Sequence, residues 1–133
     1  MDNSHRKVSF TESWVLFFRN YANFSGRSSR SAYWYWFLWS SIITLVFEIL
    51  RIATMEAYII DLIELLWSLA IIVPGIAIGI RRLHDVNRSG WWWLIAFTVV
   101  GVIPLFIWSV RAGDNDLNKY GENIEQGKKS TNL

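Results

Sequence analysis

The sequence predicts an all-α integral membrane protein with three transmembrane helices and an N-terminal amphipathic helix at the membrane interface. Two observations carry this prediction. Hydrophobic residues make up 53% of the 133 residues, and nine residues are tryptophan, more than a soluble core of this size needs. Three stretches, 33–47, 65–80 and 91–110, contain no charged residue. With their flanking residues they reach the roughly 20 residues that a helix needs to cross the hydrocarbon core.

The N-terminal helix is expected over residues 9–22. Ser9 and Glu12 fit a capping box, in which each side chain satisfies an otherwise unpaired backbone N–H. Five aromatic residues then recur at helical spacing and share one face: Phe10, Trp14, Phe17, Phe18 and Tyr21. We expect this face to lie against lipid in the headgroup layer, because little soluble chain remains to form a core for it.

The spans are assigned to residues 31–50, 60–81 and 90–110, and a polar tail follows at 111–133. Aromatic clusters open the first and third spans, as is typical of the headgroup level. The chain is treated as a single domain, 1–133, because no linker rich in Pro, Gly or Ser divides it. No cleavable signal peptide is expected, because charges interrupt the short N-terminal apolar stretch.

The charge distribution predicts the orientation of the spans. Residues 1–32 and 81–90 carry an excess of basic residues, whereas 48–64 carries four acids against Arg51. The positive-inside rule therefore places the N-terminus and the 81–90 loop in the cytoplasm. Three crossings would put the tail outside, and a re-entrant segment in place of one span would reverse that assignment.

A pair of small residues in the second span predicts close helix packing. Gly75 and Gly79 lie four residues apart, just after Pro74. Small residues at this spacing let helix backbones approach closely, and the proline favours a kink. The partner helix belongs either to the same chain or to a second copy, so a homo-oligomer stays open.

Five arginines are expected to gather on the cytoplasmic side: Arg27, Arg30, Arg81, Arg82 and Arg88. Their forked donors suit phosphate. Asp85 is expected to hold Arg81 or Arg82 in place, and His84 belongs to the same candidate site. Basic clusters beside spans commonly attract anionic lipids. Anionic lipid headgroups are therefore the predicted partner, with an acidic protein as the alternative and no nucleic acid.

The sequence does not favour an enzyme. It contains no cysteine, which excludes thiolate metal sites and a cysteine nucleophile. His84 and Asp85 are adjacent and so do not face one another on a helix. A subunit of an oligomeric channel or transporter is the second hypothesis, and a lipid-headgroup enzyme using His84 is the third. Residues 114–125 partly match a calcium loop, but Lys119 stands where that loop needs glycine. No metal or cofactor is predicted.

Three motifs resemble a known family. They read FSGRSSRSAYW at 24–34, RRLHD followed by RSGWW within 81–92, and NKYG at 118–121. In this order and spacing they resemble a bacterial inner-membrane family known as domain of unknown function 805, the YhaH-like proteins. The resemblance covers about residues 14–121 and implies a small multi-pass bacterial inner-membrane protein without implying an activity. The tail departs from the family pattern at Glu122, where a proline often follows.

Overall fold

The fold is that of a computed structural model, which describes residues 8–122. The regular elements of this part are α1 (Phe10–Arg19), α2 (Arg30–Thr54), α3 (Ala57–Asp85), a 3-10 helix (Gly90–Phe97) and α4 (Val102–Val110). No strand occurs among these residues, which confirms the all-α prediction. The end of the predicted tail, 123–133, lies outside the described residues.

Helix α1 begins where the capping box predicts. The Ser9 hydroxyl accepts a hydrogen bond from the Glu12 backbone N–H at 3.2 Å. The aromatic face does not lie against lipid as predicted. It packs on rings from α2 and α3: Phe17 stacks on Trp36, and Trp14 contacts Trp39 and Trp67. The expectation was wrong because the two long helices supply an aromatic surface of their own.

Helices α2 and α3 form an antiparallel pair joined by a tight turn. Met55 ends α2 in the left-handed conformation, with φ of 56°. The helices contain 25 and 29 residues, and both are long and apolar enough to cross a membrane. At 1.5 Å per residue they extend about 38 and 44 Å, more than the roughly 30 Å of a hydrocarbon core. The first two predicted spans fall within them.

The two ends of this helix pair differ in charge. The acidic end holds the α2–α3 turn, where Arg51 donates to Glu48 at 2.5 Å, Asp61 at 2.9 Å and Glu64 at 2.6 Å. The basic end holds the start of α2 and the end of α3, with Arg27 and Arg82 buried between them. The candidate functional site lies at the basic end.

The third predicted span is not confirmed. Residues 90–110 form the 3-10 helix and α4, separated by a turn at 98–101. These helices extend only about 16 and 14 Å, roughly half of a hydrocarbon core each. The rings of Trp92 and Trp108 lie 5.7 Å apart, so the segment returns to the end where it began. We call it the 90–110 hairpin.

Local hydrogen bonds produce the turn at the tip of the hairpin, and the apolar composition of the segment does not predict it. The Thr98 hydroxyl donates to the Ile95 carbonyl at 2.8 Å, and the Gly101 N–H donates to the Thr98 hydroxyl oxygen at 3.0 Å. A side chain at Gly101 would collide with the Ile95 carbonyl. These local bonds compete with helix continuation and turn the chain back.

The tail returns across the basic end. The Asp114 N–H donates to the Asp85 carbonyl at 2.8 Å, which fixes the tail beside the last turn of α3. The expectation that three crossings would carry the tail to the opposite end is therefore wrong. The hairpin, by doubling back, is the reason.

The two glycines of α3 have different surroundings. A side chain at Gly79 would collide with the Trp93 indole of the hairpin. Gly75 has open space around it within the described part of the chain. Gly79 therefore packs within the chain, and the packing role predicted for Gly75 has no partner among the described residues.

Candidate functional site

A buried carboxylate at the end of α3 organises the basic end. Arg27 Nε and Nη2 each lie 2.9 Å from Asp85 Oδ1, and Arg82 Nη1 donates to Asp85 Oδ2. All three residues are buried: Arg27 is 1% exposed, Arg82 is 2% exposed and Asp85 is 5% exposed. Buried charges need this pairing, because desolvating them alone is unfavourable. We call the three residues the Arg27–Arg82–Asp85 cluster.

Local structure explains how the cluster forms. Arg82 and Asp85 are three residues apart in the last turn of α3 and so share a face. Arg27 follows Gly26, whose φ of +80° is a conformation that glycine adopts without strain. The Ser28 N–H donates to the Arg81 carbonyl at 3.0 Å, which holds the loop before α2 against the end of α3.

Arg27 uses its remaining donors to hold the tail. Nη1 donates to the Asp116 carbonyl at 2.8 Å and to the Gly121 carbonyl at 3.2 Å. Nη2 donates to the Asp114 carbonyl. Five hydrogen bonds to Asp85 and to backbone carbonyls therefore occupy this guanidinium. No donor of Arg27 remains for a lipid phosphate.

Arg82 holds the end of the hairpin in place through hydrogen bonds to backbone carbonyls. Nε donates to the Ser109 carbonyl at 3.2 Å, and Nη2 donates to the carbonyls of Trp108, at 3.3 Å, and Arg111. These carbonyls belong to the last turn of α4 and the residue after it. Arg82 is thus a structural clamp, and a headgroup does not reach it without displacing the tail.

His84 contacts the same tail through its ring and its backbone. Its Nδ1 lies 2.9 Å from the Gly26 carbonyl oxygen, which only accepts, so Nδ1 carries the proton. The ring stacks on Tyr120 with 3.9 Å between centroids. Asn118 Nδ2 donates to the His84 carbonyl at 2.9 Å. His84 therefore binds the two other motifs to the end of α3.

Arg81 faces a different side of α3 from Arg82. Its Nη1 donates to the Asn20 carbonyl at 3.1 Å and to the Asn23 carbonyl. No acid of residues 8–122 lies within ion-pair distance of it. The prediction that Asp85 holds Arg82 is confirmed, and Arg81 is not its partner.

Arg30 and Arg88 remain at the surface. Arg30 Nη1 donates to the Val110 carbonyl at 3.3 Å, and the Arg88 guanidinium lies over the Trp108 ring, 5.2 Å from its centroid. Arg111, which the sequence analysis did not include, is exposed at the end of α4. We call these three residues the exposed arginine patch.

Several residues of the site were missed by sequence reasoning. Gly113 touches the Asp85 carboxylate so closely that a side chain there would collide with it. Asn118 closes the tail loop by accepting from the Tyr120 N–H at 2.9 Å. The NKYG motif pointed to residues 118–121, but nothing in the sequence pointed to Gly113. Backbone acceptors such as the Ser109 carbonyl leave no side-chain pattern to find.

The described residues contain no group of three or more His, Cys, Asp or Glu side chains that would hold a metal ion. Asp114, the first residue of the partial calcium loop, accepts from Asn118 Nδ2 at 3.1 Å through its carboxylate. Glu125, at the last position of that loop, lies outside the described residues. The tail thus folds around its own hydrogen bonds and those of Arg27.

The comparisons with known proteins cover the part of the chain that holds the three motifs. The sequence model of a family described as "protein of unknown function (DUF805)" matches residues 21–122. The inner membrane protein YhaI of Escherichia coli K12 is 33% identical over 111 residues, covering 82% of this chain and 92% of the relative. The inner membrane protein YhaH of the same strain is 30% identical over 106 residues, covering 77% and 88%. No solved structure matches. The chain belongs to the DUF805 family.

Proposed function

We propose that this protein is a non-enzymatic, multi-pass protein of the bacterial inner membrane whose exposed arginine patch contacts the phosphates of anionic lipids. The observation that carries the proposal is the separation of the arginines into two groups. Arg27 and Arg82 are buried and form hydrogen bonds within the fold. The remaining group is exposed around the end of α4: Arg30, Arg88 and Arg111. Forked, accessible guanidinium groups are suited to phosphate.

The membrane topology in this proposal has two crossings. Helices α2 and α3 have the length and composition of spans, and the 90–110 hairpin enters and leaves at the basic end. A re-entrant segment is tolerated in a membrane where protein covers its backbone, and the packing of Trp93 on Gly79 supports such cover. Both relatives are named inner membrane proteins, which supports the same location here.

The orientation follows from charge. Basic residues concentrate at one end of the helix pair, and Glu48, Asp61 and Glu64 surround Arg51 at the other. The positive-inside rule then puts the basic end, the N-terminus and the tail in the cytoplasm. The exposed Trp91 and Trp92 beside the patch suit the headgroup level, where amphipathic rings concentrate.

A structural role for His84 supports the absence of a catalytic one. Its Nδ1 is bonded to Gly26 and its ring is stacked on Tyr120. These contacts with the loop before α2 and with the tail explain the position of the ring without a catalytic role.

Native mass spectrometry of the protein extracted with its own lipids tests the lipid contact. The variant Arg30→Gln/Arg88→Gln removes two charges from the patch. The control Arg19→Gln/Lys119→Gln removes two charges from exposed residues outside it. At about 1 kcal/mol per basic residue near the surface, the patch variant should retain anionic phospholipid at least roughly tenfold more weakly.

The control should retain lipid as the wild type does. Equal retention by all three proteins would contradict the proposal, and an acidic protein partner would then be the better reading. Arg82→Ala is unsuited to this test, because loss of its five hydrogen bonds releases the tail.

A homo-oligomer is the second candidate, and Gly75 is the observation that favours it. The open space around this glycine would accept a helix of a second copy, since small residues let backbones approach. Gly75→Leu should then shift the protein to monomers in mild detergent, as measured by light scattering. Persistence of the wild-type mass in this variant would contradict an interface at Gly75.

A further inference from the structure

The buried charges at the basic end do not balance. Arg27, Arg81 and Arg82 are buried, while Asp85 is the one buried acid in the described part of the chain. Asp85 is shared by Arg27 and Arg82, which leaves Arg81 without a counter-charge among residues 8–122. A buried cation without a partner is unfavourable. Because Arg81 is only 5% exposed, a bound anion would supply the counter-charge that it lacks.

Two of the three guanidinium nitrogens of Arg81 are available to bind a ligand. Nη1 bonds to the carbonyls of Asn20 and Asn23, whereas Nε and Nη2 have no hydrogen-bond partner among the described residues. No side-chain nitrogen or oxygen in that part of the chain is both fully enclosed and unbonded, so these two nitrogens keep accessible surface. Nε and Nη2 of arginine form the fork that binds two oxygens of one oxyanion.

Arg81 is one of the residues that line a cavity at the basic end. The cavity has a volume of about 410 Å³ and lies between α1, the loop 23–29 and the tail residues 120–122. This volume falls within the roughly 300 to 1,000 Å³ of small-ligand sites. Ser25, Ser28 and Tyr120 also line this cavity, and side-chain hydroxyls are further donors for an oxyanion.

We propose that this cavity is a binding site for a phosphate ester, with Arg81 as the residue that receives the phosphate. The site is separate from the exposed arginine patch, because neither Arg30 nor Arg88 lines the cavity. A water-soluble phosphate ester and a phospholipid headgroup share this chemistry. The cavity holds more than a bare phosphate ion, which leaves room for the esterified part.

Glu122 determines which esterified part fits. Its residue lines the same cavity and makes no ion pair with Arg81. A carboxylate in this position repels a second negative charge and attracts an ammonium group. The favoured ligand is thus a phosphate ester whose remaining part is neutral or cationic, such as phosphoethanolamine, over one that carries another acid.

Calorimetric titration of the protein in detergent, at constant ionic strength, tests the site. The probes are inorganic phosphate, phosphoethanolamine and dihexanoyl phosphatidylethanolamine. We compare Arg81→Lys with the matched control Arg19→Lys, since each keeps its charge and loses the fork, and Arg19 is exposed and lies outside both the cavity and the exposed arginine patch. Because hydrogen bonds to charged groups are the strong ones, Arg81→Lys should weaken binding by about tenfold, and Arg19→Lys should bind as the wild type.

The probes identify the source of the ligand. Saturable binding of phosphoethanolamine assigns the site to soluble esters, and binding of the short-chain lipid alone assigns it to headgroups. Binding of neither probe by the wild type overturns the proposal, as does an equal effect of both lysine variants. Each of these results leaves lipid retention by the exposed arginine patch to be judged separately.

A second variant keeps the test decisive if Arg81→Lys does not fold. Glu122→Gln removes the negative charge from the cavity without touching the bonds of Arg81. Inorganic phosphate should bind more tightly to this variant by several-fold, and phosphoethanolamine should lose its advantage over inorganic phosphate. Unchanged affinities for both probes would overturn the assignment of the cavity.

Discussion

At the scale of single residues, Asp85 sets the electrostatic balance of the basic end. Its carboxylate forms an ion pair with Arg27 through Oδ1 and with Arg82 through Oδ2. Both arginines then extend past it to backbone carbonyls of the hairpin and the tail. One acid therefore positions two clamps, and the clamps position the C-terminal part of the described chain.

Asp85→Asn should destabilise the protein strongly. The substitution leaves two buried guanidinium groups without a counter-charge, which typically costs about 3 to 5 kcal/mol. We expect this loss in the free energy of unfolding, followed by tryptophan fluorescence in detergent. Asp61→Asn, which removes an exposed acid from the Arg51 pairs, should have a much smaller effect. Equal effects of the two substitutions would contradict the role of Asp85.

Gly113→Ala should release the tail from the end of α3. The added methyl group would collide with the Asp85 carboxylate, and overpacking of this kind costs roughly 1 to 3 kcal/mol. The expected result is faster proteolysis within 112–121. Asn115→Ala is the matched control, because it changes an exposed residue of the same tail. Wild-type proteolysis of the Gly113 variant would show that the tail tolerates a shift.

Two arginines of one motif show what the sequence conveyed and what it did not. Arg27 and Arg30 are three residues apart, and both were correctly placed with α3 at one end of the molecule. Their burial differs completely, because Gly26 turns Arg27 inward while Ser29 starts α2 and leaves Arg30 outside. Residue type and spacing predict a location, but the acceptors that decide a role here are backbone carbonyls distant in sequence.

At the scale of the elements, apolar length predicted helices where nothing interrupts them. Helices α2 and α3 contain the first two predicted spans because their backbones continue through an apolar sequence. The third apolar stretch has the same composition, yet the bonds of Thr98 and the crowding at Gly101 divide it. A window of hydropathy averages over such a turn. The hairpin was therefore open as an alternative but not the predicted result.

Helix α3 also depends on a contact from outside itself. Pro74 has no N–H to donate to the carbonyl of Ala70, four residues earlier. The Tyr21 hydroxyl donates to that carbonyl instead, which joins the end of α1 to the middle of α3. Sequence reasoning predicted a kink at Pro74 and gave no sign of this partner.

Tyr21→Phe should lower the stability of the protein by about 1 kcal/mol, the usual contribution of one hydrogen bond. The measurement is the free energy of unfolding in detergent. Tyr58→Phe is the control, because the Tyr58 side chain is exposed at the acidic end. Restoring the missing donor by Tyr21→Phe combined with Pro74→Ala should recover part of the loss. If the double variant is as destabilised as Tyr21→Phe alone, that result would contradict the pairing of Tyr21 with the Ala70 carbonyl.

At the scale of the whole molecule, the three family motifs meet at one end although they lie far apart in sequence. The loop before α2 provides Arg27, the end of α3 provides Arg82 and Asp85, and the tail provides the carbonyls to which Arg27 donates. The middle of the chain provides the two long helices. This arrangement requires the tail and the start of α2 to lie on the same side of any membrane that α2 and α3 cross.

Cysteine accessibility in intact cells tests that topology directly, because the sequence contains no cysteine. Tyr58→Cys places a thiol at the acidic end, and Leu117→Cys places one on the exposed part of the tail. With two crossings, a membrane-impermeant maleimide should label position 58 in intact cells and position 117 only after permeabilisation. Three crossings would put 117 on the same side as 58, and labelling of both in intact cells would rule out the hairpin. Labelling of 117 alone would instead reverse the orientation and contradict the positive-inside assignment.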